Sequence, residues 1–413
     1  MGSLISSLAE LYSHLARCFA KVSLTILLAL NSCPGASCQE RPSENPPKTA
    51  EPPTVPPQPQ AKASGSVPGS IRISWVGDIV MEVPWRQQML PPNELFDGVR
   101  ERLKSSDLAI ANLETPLTDW TEQTPYKDKA AVEAGKDVIL RVGSPQAAQA
   151  LAQGGIKVVG LANNHTMDFT DHGLLDTFDH LRKAGVLFAG AGENLAAAED
   201  ALIVQIKGRR IGILSFSDVV PRYSWAEENH PGIATGKEAD RVVAAIHRAR
   251  PKVDILILLL HWGTQFVQEP IPRQQFLAQQ AQRAGADLIL GAHPHVLQGV
   301  GCLGRVPVVY SAGNFVFPTM SLPTRRSAVF EFEFPLSGPP SLHLVPVLID
   351  EQGAPQLVDG DTRLDILSEM SKLSQPLGLQ LNGDTGSCND LSVPAPPSVI
   401  PVAPPGKTNR LSR

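Results

Sequence analysis

A chain of 413 residues with 42% apolar side chains can bury a sizeable core, either as one large α/β domain or as two ordinary ones. Its formal charge is −5 and no lysine- or arginine-rich cluster interrupts it, so nucleic acid is excluded as a partner. The cysteines, Cys18, Cys33, Cys38, Cys302 and Cys388, include no C-x-x-C pair, which excludes the usual zinc-finger and dithiol patterns.

Residues 1–38 read as an export segment: a signal peptide, a lipoprotein signal or an N-terminal anchor. Arg17 and Lys21 lead into an apolar run from Val22 to Leu30, followed by small residues and cysteines. That run is about half of the ~20 residues a spanning helix needs. Leu30-Asn31-Ser32-Cys33 has the form of a lipoprotein cleavage box, which makes Cys33 the candidate lipidation site. Asn31 is unusual in such a box, and cleavage after Ser37 or no cleavage at all are the alternatives. The expected location is the cell envelope: periplasmic, on the outer surface or membrane-anchored. Once exported, Cys302 and Cys388 are free to pair.

Residues 39–70 are dominated by proline and nearly lack large apolar side chains, so they read as an extended tether. Residues 382–413 read the same way, which leaves 71–381 as the folded domain. Within it, "IRISWVGD", "DLAIANLE", "IKVVGLANNH", "RRIGILSFSD", "VDILILLLHWG", "ADLILGAHPH" and "VPVVYSAGNF" read as strands. "DHGLLDTFDHLRKAG" and "RQQFLAQQAQRAG" read as amphipathic helices that stop at glycine. Alternation of apolar strands with helices predicts an α/β fold with a sheet buried under helices. "SAVFEFEFPL" and "SLHLVPVLID" follow without helices between them and predict added antiparallel strands.

Five of these strands end in side chains that can bind a metal. They are Asp78; Asn112 and Glu114; Asn163, Asn164 and His165 with Asp168 close behind; His261; and His293 with His295. Ligands in α/β folds gather outside the carboxyl ends of strands, so these groups are expected to converge. His293 and His295, one residue apart on an extended segment stiffened by Pro294, are expected to point the same way. Imidazole and carboxylate together suit Mn, Zn or Fe. Buried imidazoles and carboxylates without partners cost several kcal/mol, so packing alone is a poor explanation for five such ends.

"GDIVM", "ANLETPLT", "LANNHTMDF", "HGLLDTFDHLRKAG", "LHWGTQF", "GADLILGAHPHVLQG" and "YSAGNFVF" together resemble the CapA-type poly-γ-glutamate capsule proteins, of the calcineurin-like metallophosphoesterase superfamily. The resemblance spans residues 71–317 and implies a four-layer α-β-β-α sandwich, metallo-dependent phosphatase-like, with two divalent metal ions. Carried over residue by residue, Asp78 is a terminal ligand of the first ion and Glu114 the bridging carboxylate. Asn164, His261 and His293 hold the second ion, and His295 returns to the first. His165 is the general acid or the group that stabilises developing charge. The wider superfamily has D-x-H in its first motif, whereas this chain has Asp78-Ile79-Val80. Valine cannot coordinate. Water, substrate or Glu82 then completes the first site, or only the second ion binds tightly.

Asp168 either orients His165 or caps the helix that follows. Asn314 of "SAGNF" is a candidate for touching substrate or supporting the ligands, and Arg222 of "VVPRYSW" for meeting an anionic substrate. Trp262 is read as packing behind His261. His172, His180, His230, His247 and His343 show no partner pattern and read as ordinary surface or helix residues. Two functions are open. One is a metal-dependent hydrolase acting on a phosphoester or an anionic γ-glutamyl polymer. The other is a non-catalytic polymer-binding or assembly component of capsule synthesis or export, beside a membrane-bound polymer synthetase. Its membrane association would run through the N-terminus.

Overall fold

A computed structural model describes residues 69–388 apart from 84–89, 136, 144–145 and 320. The export segment with Cys33, nearly all of the proline-rich tether and the tail beyond Cys388 lie outside the described residues. In chain order the strands begin with β1 (Ile71–Ile79), β2 (Leu108–Leu113), β3 (Val158–Gly160), β4 (Leu187–Ala189), β5 (Ala191–Gly192), β6 (Leu202–Ile206), β7 (Arg209–Ser217) and β8 (Gly232–Ile233). They continue with β9 (Ile255–His261), β10 (Leu288–Ala292), β11 (Val300–Leu303), β12 (Val306–Val309), β13 (Asn314–Val316), β14 (Arg326–Phe334), β15 (Ser341–Ile349), β16 (Pro355–Leu357) and β17 (Thr385–Ser387). The helices are α1 (Arg100–Lys104), α2 (Lys129–Glu133), α3 (Gln146–Gly154), α4 (Thr170–Ala184), α5 (Leu195–Glu199), α6 (Ala239–Ala249), α7 (Pro272–Ala284), α8 (Leu322–Arg325) and α9 (Gly360–Ser374).

The run "ILILLLH" shows how the layers arise. Successive side chains of a strand face opposite ways. Ile255, Ile257 and Leu259 of β9 therefore enter a core shared with Ile73, Ile110 and Val158 of the other sheet. Leu256, Leu258 and Leu260 enter a separate core with Val242 and Ile246 of α6 and Leu277 and Ala281 of α7. On the far side, Ala109, Ala111 and Val159 pack against Leu151 of α3 and Leu174, Phe178 and Leu181 of α4. Three cores between four layers make the expected α-β-β-α sandwich. Truncating one fully buried side chain such as Leu258 to alanine costs about 3 kcal/mol in a core of this kind.

One sheet runs β16-β15-β14-β1-β2-β3-β4, and the other β11-β12-β10-β9-β7-β6. The strands β1 to β4 are parallel, as are β7, β9, β10 and β12, so their carboxyl ends share an edge of each sheet. The β14–β15 pair is antiparallel, as its sequence predicts. Helices α4 and α7 end at Gly185 and Gly285, whose φ values of 73° and 110° suit glycine's freedom in the left-handed region.

Three features differ from the sequence reading. "VPVVYSAGNF" is not one strand. Its first part, β12, pairs with β10, and its last part, β13, crosses to the other sheet and pairs with β1 through Asp78↔Asn314. Gly313, at φ 65°, makes the bend between them. Second, β17 pairs with β15, and Cys388 forms a disulfide with Cys302, so ordered structure enters the stretch that composition alone reads as tail. Third, His343 is not an isolated surface residue. It lies on β15, 3.1 Å from Glu331 and 3.4 Å from Asp384, within a cluster that also holds Arg102 and Arg363.

Candidate metal centre

Strand β1 delivers Asp78 through a register shift between Val76 and Asp78. The shift depends on Gly77, because a Cβ there would stand 1.8 Å from the Gly313 carbonyl oxygen. Asp78 is fully buried, accepts from Asn112 Nδ2 at 2.8 Å, and accepts from the His293 backbone amide at 3.2 Å. His295 Nδ1 lies 3.3 Å from Oδ2, the oxygen that also accepts the His293 amide, while Asn112 meets Oδ1. Asn112 also reaches His261 Nδ1 at 3.2 Å, so it braces two candidate ligands of the centre.

Glu114, just past β2, is the centre's unusual member. It is fully buried, and neither carboxylate oxygen has a hydrogen-bond partner among the described residues. His261 Nε2 stands 3.3 Å from one oxygen and His295 Nδ1 3.9 Å from the other. His261 Nε2 also lies 2.7 Å from Asn164 Oδ1 and 3.1 Å from His293 Nδ1. Ligand atoms of Glu114, His293 and His295 all fall within 4.8 Å of one another. Burial pushes the Glu114 carboxyl up, but the imidazoles of His295, His261 and His165 outweigh it and hold the group well below the usual carboxylate range. Burial and the neighbouring His261 push His293 well below its ordinary value. Burial also opposes charge on His295, yet Glu114 and Asp78 overcome it and raise that imidazole to about 9.

A donorless buried carboxylate is costly in a folded chain. Here it faces imidazoles, and His261 in turn meets the Asn164 amide oxygen, a mixed nitrogen and oxygen set that suits a divalent metal ion. The residues present therefore fit a metal. Asp78, Glu114, Asn164, His261, His293 and His295 are brought together as the strand-end argument predicts.

The backbone of "GAHPH" is not the extended segment expected. Strand β10 stops at Ala292, and His293 and His295 both take positive φ, 99° and 58°. Non-glycine residues seldom adopt such angles, and each costs of order 1–3 kcal/mol. The two rings converge, with centroids 5.8 Å apart, because the backbone is wound rather than stretched. Asn314 fixes His295 by an Oδ1 contact of 2.9 Å to Nδ1, and its own amide is held by the Thr324 and His295 carbonyls.

Beside the centre, Asn163 holds the "NNH" turn by accepting from the His165 and Thr166 amides. His165 Nδ1 lies 2.8 Å from Asp168 Oδ2. Helix α4 has Phe169 at its N-cap with no side-chain cap bond, so Asp168 orients His165 rather than capping the helix. Lys127, absent from the sequence reading, ion-pairs with Asp168 Oδ1 at 2.7 Å, donates to the Val138 carbonyl at 2.6 Å and lies 3.2 Å from His165 Nδ1. Only its lysine identity in "TPYKDKAA" hinted at it, and no periodicity placed it here.

The remaining candidates fall elsewhere. Arg222 is exposed, pairs with Glu227 at 3.0 Å and covers the Trp225 ring. Glu82 is exposed and accepts from the Gly143 amide, so it does not complete the first site. Val80, at the D-x-H position, is buried with Val83 and Leu140. Trp262 packs as read, donating to the Tyr310 carbonyl at 2.8 Å.

The layers and the strand-end centre define a metallo-dependent phosphatase-like fold. A family model described as "Bacterial capsule synthesis protein PGA_cap" matches residues 72–319, and the chain belongs to that family. It is 31% identical to the "PGA biosynthesis protein CapA" of Bacillus subtilis (strain 168), over 72% of this chain and 77% of that protein. It is also 31% identical to the "Capsule biosynthesis protein CapA" of Bacillus anthracis, over 70% and 69% of the two chains. Among solved structures, the NAD nucleotidase of Haemophilus influenzae aligns with a TM-score of 0.39 at 14% identity, over 74% of this chain and 57% of that one, so this chain spans less than two thirds of it.

Proposed function

We propose that this chain is an exported, envelope-tethered CapA-type protein of poly-γ-glutamate biosynthesis or export, working beside a membrane-bound polymer synthetase and carrying a metal-dependent hydrolase site. The names of its Bacillus relatives support the polymer. The Cys302–Cys388 disulfide supports an oxidising compartment and therefore export, while an anchor at Cys33 rests on the sequence alone. Among the described residues no helix is long and apolar enough to cross a membrane.

The observation that carries the catalytic reading is Glu114, buried among imidazoles with neither oxygen hydrogen-bonded among the described residues. Asp78, Glu114, Asn164, His261, His293 and His295 would hold two divalent ions, Mn, Zn or Fe. When bound, such ions supply Lewis acidity and an activated water for ester or amide hydrolysis. Asp168 accepts the Nδ1–H of His165, and a ring that is also protonated at Nε2 would give that second proton to the leaving group. Lys127 holds the second Asp168 oxygen and so fixes the carboxylate that aims the ring.

One observation favours a second reading, in which the site only binds polymer. The position that usually supplies a histidine ligand holds Val80, sealed in an apolar cluster. Metal analysis of the full chain, beside a His293→Ala/His295→Ala variant, separates the readings when combined with hydrolysis assays on poly-γ-glutamate and a simple phosphoester. About two ions per chain and a metal-dependent cleavage lost in the variant are expected. Polymer binding without cleavage would establish the second reading, and absence of metal under replete conditions would sink both metal-based accounts.

A further inference from the structure

Positive φ at non-glycine residues occurs at Thr170, Lys207, Phe266, His293 and His295 among the described positions. Three of these meet in one place, because the Phe266 amide donates to the carbonyl of Pro294, between the two histidines, at 2.8 Å. The strain at His293 and His295 brings ligands together. The positive φ of Phe266, 63°, belongs to the backbone that sets its amide on the Pro294 carbonyl, a use that needs no phenyl ring.

Nor does the core explain it. The Phe266 side chain is 64% exposed, and its neighbour Val267 is 38% exposed. Asparagine or glycine would hold this backbone angle with less strain and lose little burial. The loop is nonetheless firmly tied. Gln298 Nε2 donates to the Val267 carbonyl at 2.8 Å, Gln268 Nε2 to Glu369 at 2.6 Å, and the Ile271 amide to Gln274 at 3.0 Å. A fixed loop thus presents a solvent-facing ring 6.0 Å from the His295 ring. On the His165 side, Tyr126 is 68% exposed and stacks on Tyr223 at 4.7 Å, one residue before Lys127. Strain held at an exposed apolar side chain beside a reactive centre points to a ligand that the ring contacts.

We propose that Phe266 is a specificity-determining residue: an apolar platform for the methylene face of an extended γ-glutamyl chain whose reacting linkage lies at the strand ends. The proposal rests on the γ-glutamyl reading given above. A γ-linked chain carries methylenes in its backbone, next to each amide, whereas an α-linked chain carries them in its side chains. Metal and charge recognise the carboxylates of both polymers alike. A rigid ring beside the centre can tell them apart.

The test is calorimetric titration of the full-length, Mn-reconstituted protein with γ-linked and α-linked polyglutamate of equal length. Phe266→Asn is expected to weaken γ-polymer binding by about tenfold and to narrow the γ-over-α preference, with Phe266→Tyr restoring both. Metal content should hold, and the melting temperature of Phe266→Asn should match or exceed that of the native chain, since asparagine tolerates this backbone region. A Phe266→Asn variant that binds γ-polymer as tightly as the native protein overturns the proposal alone. A native protein that does not bind γ-polymer overturns the γ-glutamyl reading, and the platform with it.

Discussion

Glu114 and Asp168 are both carboxylates buried beside the same strand ends, yet the chain treats them differently. Asp168 Oδ1 makes no hydrogen bond among the described residues but has the Lys127 ammonium 2.7 Å away as an ion pair, and Oδ2 meets both His165 and the Leu140 amide. Glu114 faces His261 at 3.3 Å and His295 at 3.9 Å, and neither of its oxygens has a well-formed hydrogen bond among the described residues. The first carboxylate is finished when the chain folds. The second faces imidazoles, groups that can themselves ligate a metal, and keeps both oxygens open, which is how a site built to hold an ion differs from one built to hold a side chain.

The largest effect should fall on the finished carboxylate. Lys127→Met leaves Asp168 without its closest cation in a buried setting, and removing one partner of a buried ion pair costs about 3–5 kcal/mol. Urea unfolding of metal-free native and variant proteins measures that loss. Glu114→Gln in the same metal-free state should lose less, since it removes the attraction of imidazoles at 3.3 and 3.9 Å rather than an ammonium ion pair at 2.7 Å. Equal losses at the two positions would break the comparison.

Metal sharpens it from the other side. An ion that binds the folded chain at about 100 times its dissociation constant adds about 3 kcal/mol of stability. Thermal melts with chelator and with Mn should therefore separate clearly for the native protein and coincide for Glu114→Gln. Lys127→Met should melt lower in both conditions yet keep the metal increment. A Glu114→Gln protein that gains as much from Mn as the native chain would mean that the orphaned carboxylate has another purpose.

The sequence makes one side of this comparison legible and hides the other. Glu114, His261 and His293 stand at or just beyond the ends of apolar runs such as "ILILLLH", where a polar residue interrupts the apolar run and so announces itself. Parallel topology then carries the ends to one edge. Lys127 gives no such signal. It lies in a stretch without apolar periodicity and reaches Asp168 only through tertiary folding. The winding at His293 and His295 is equally silent, because H-P-H is compatible with an extended backbone, and tertiary contacts from Phe266, Asp78 and Asn314 fix it otherwise. Crossing of the chain from β12 to β13 hinges on Gly313, one glycine among many in the sequence.

The smallest effect belongs to a third carboxylate, in solvent near the amino end of β9. Asp254 accepts from the Arg210 guanidinium at 3.0 Å and from the Arg210 amide at 2.7 Å. Those two bonds, the side-chain one first, hold its carboxyl below the ordinary value. A lowered folded-state pKa contributes stability above the unfolded pKa, about 4 for aspartate, and that contribution is lost as pH falls through the folded value. Asp254→Asn should therefore lower the melting temperature by about a degree at pH 7, with the gap closing as pH drops below about 4. The Asp254 side chain is 39% exposed, so 1 M salt should shrink the gap at pH 7 as well. The Lys127→Met loss, in contrast, should survive 1 M salt, because water and salt do not reach Asp168. If salt erased that loss too, burial would not be what separates these carboxylates.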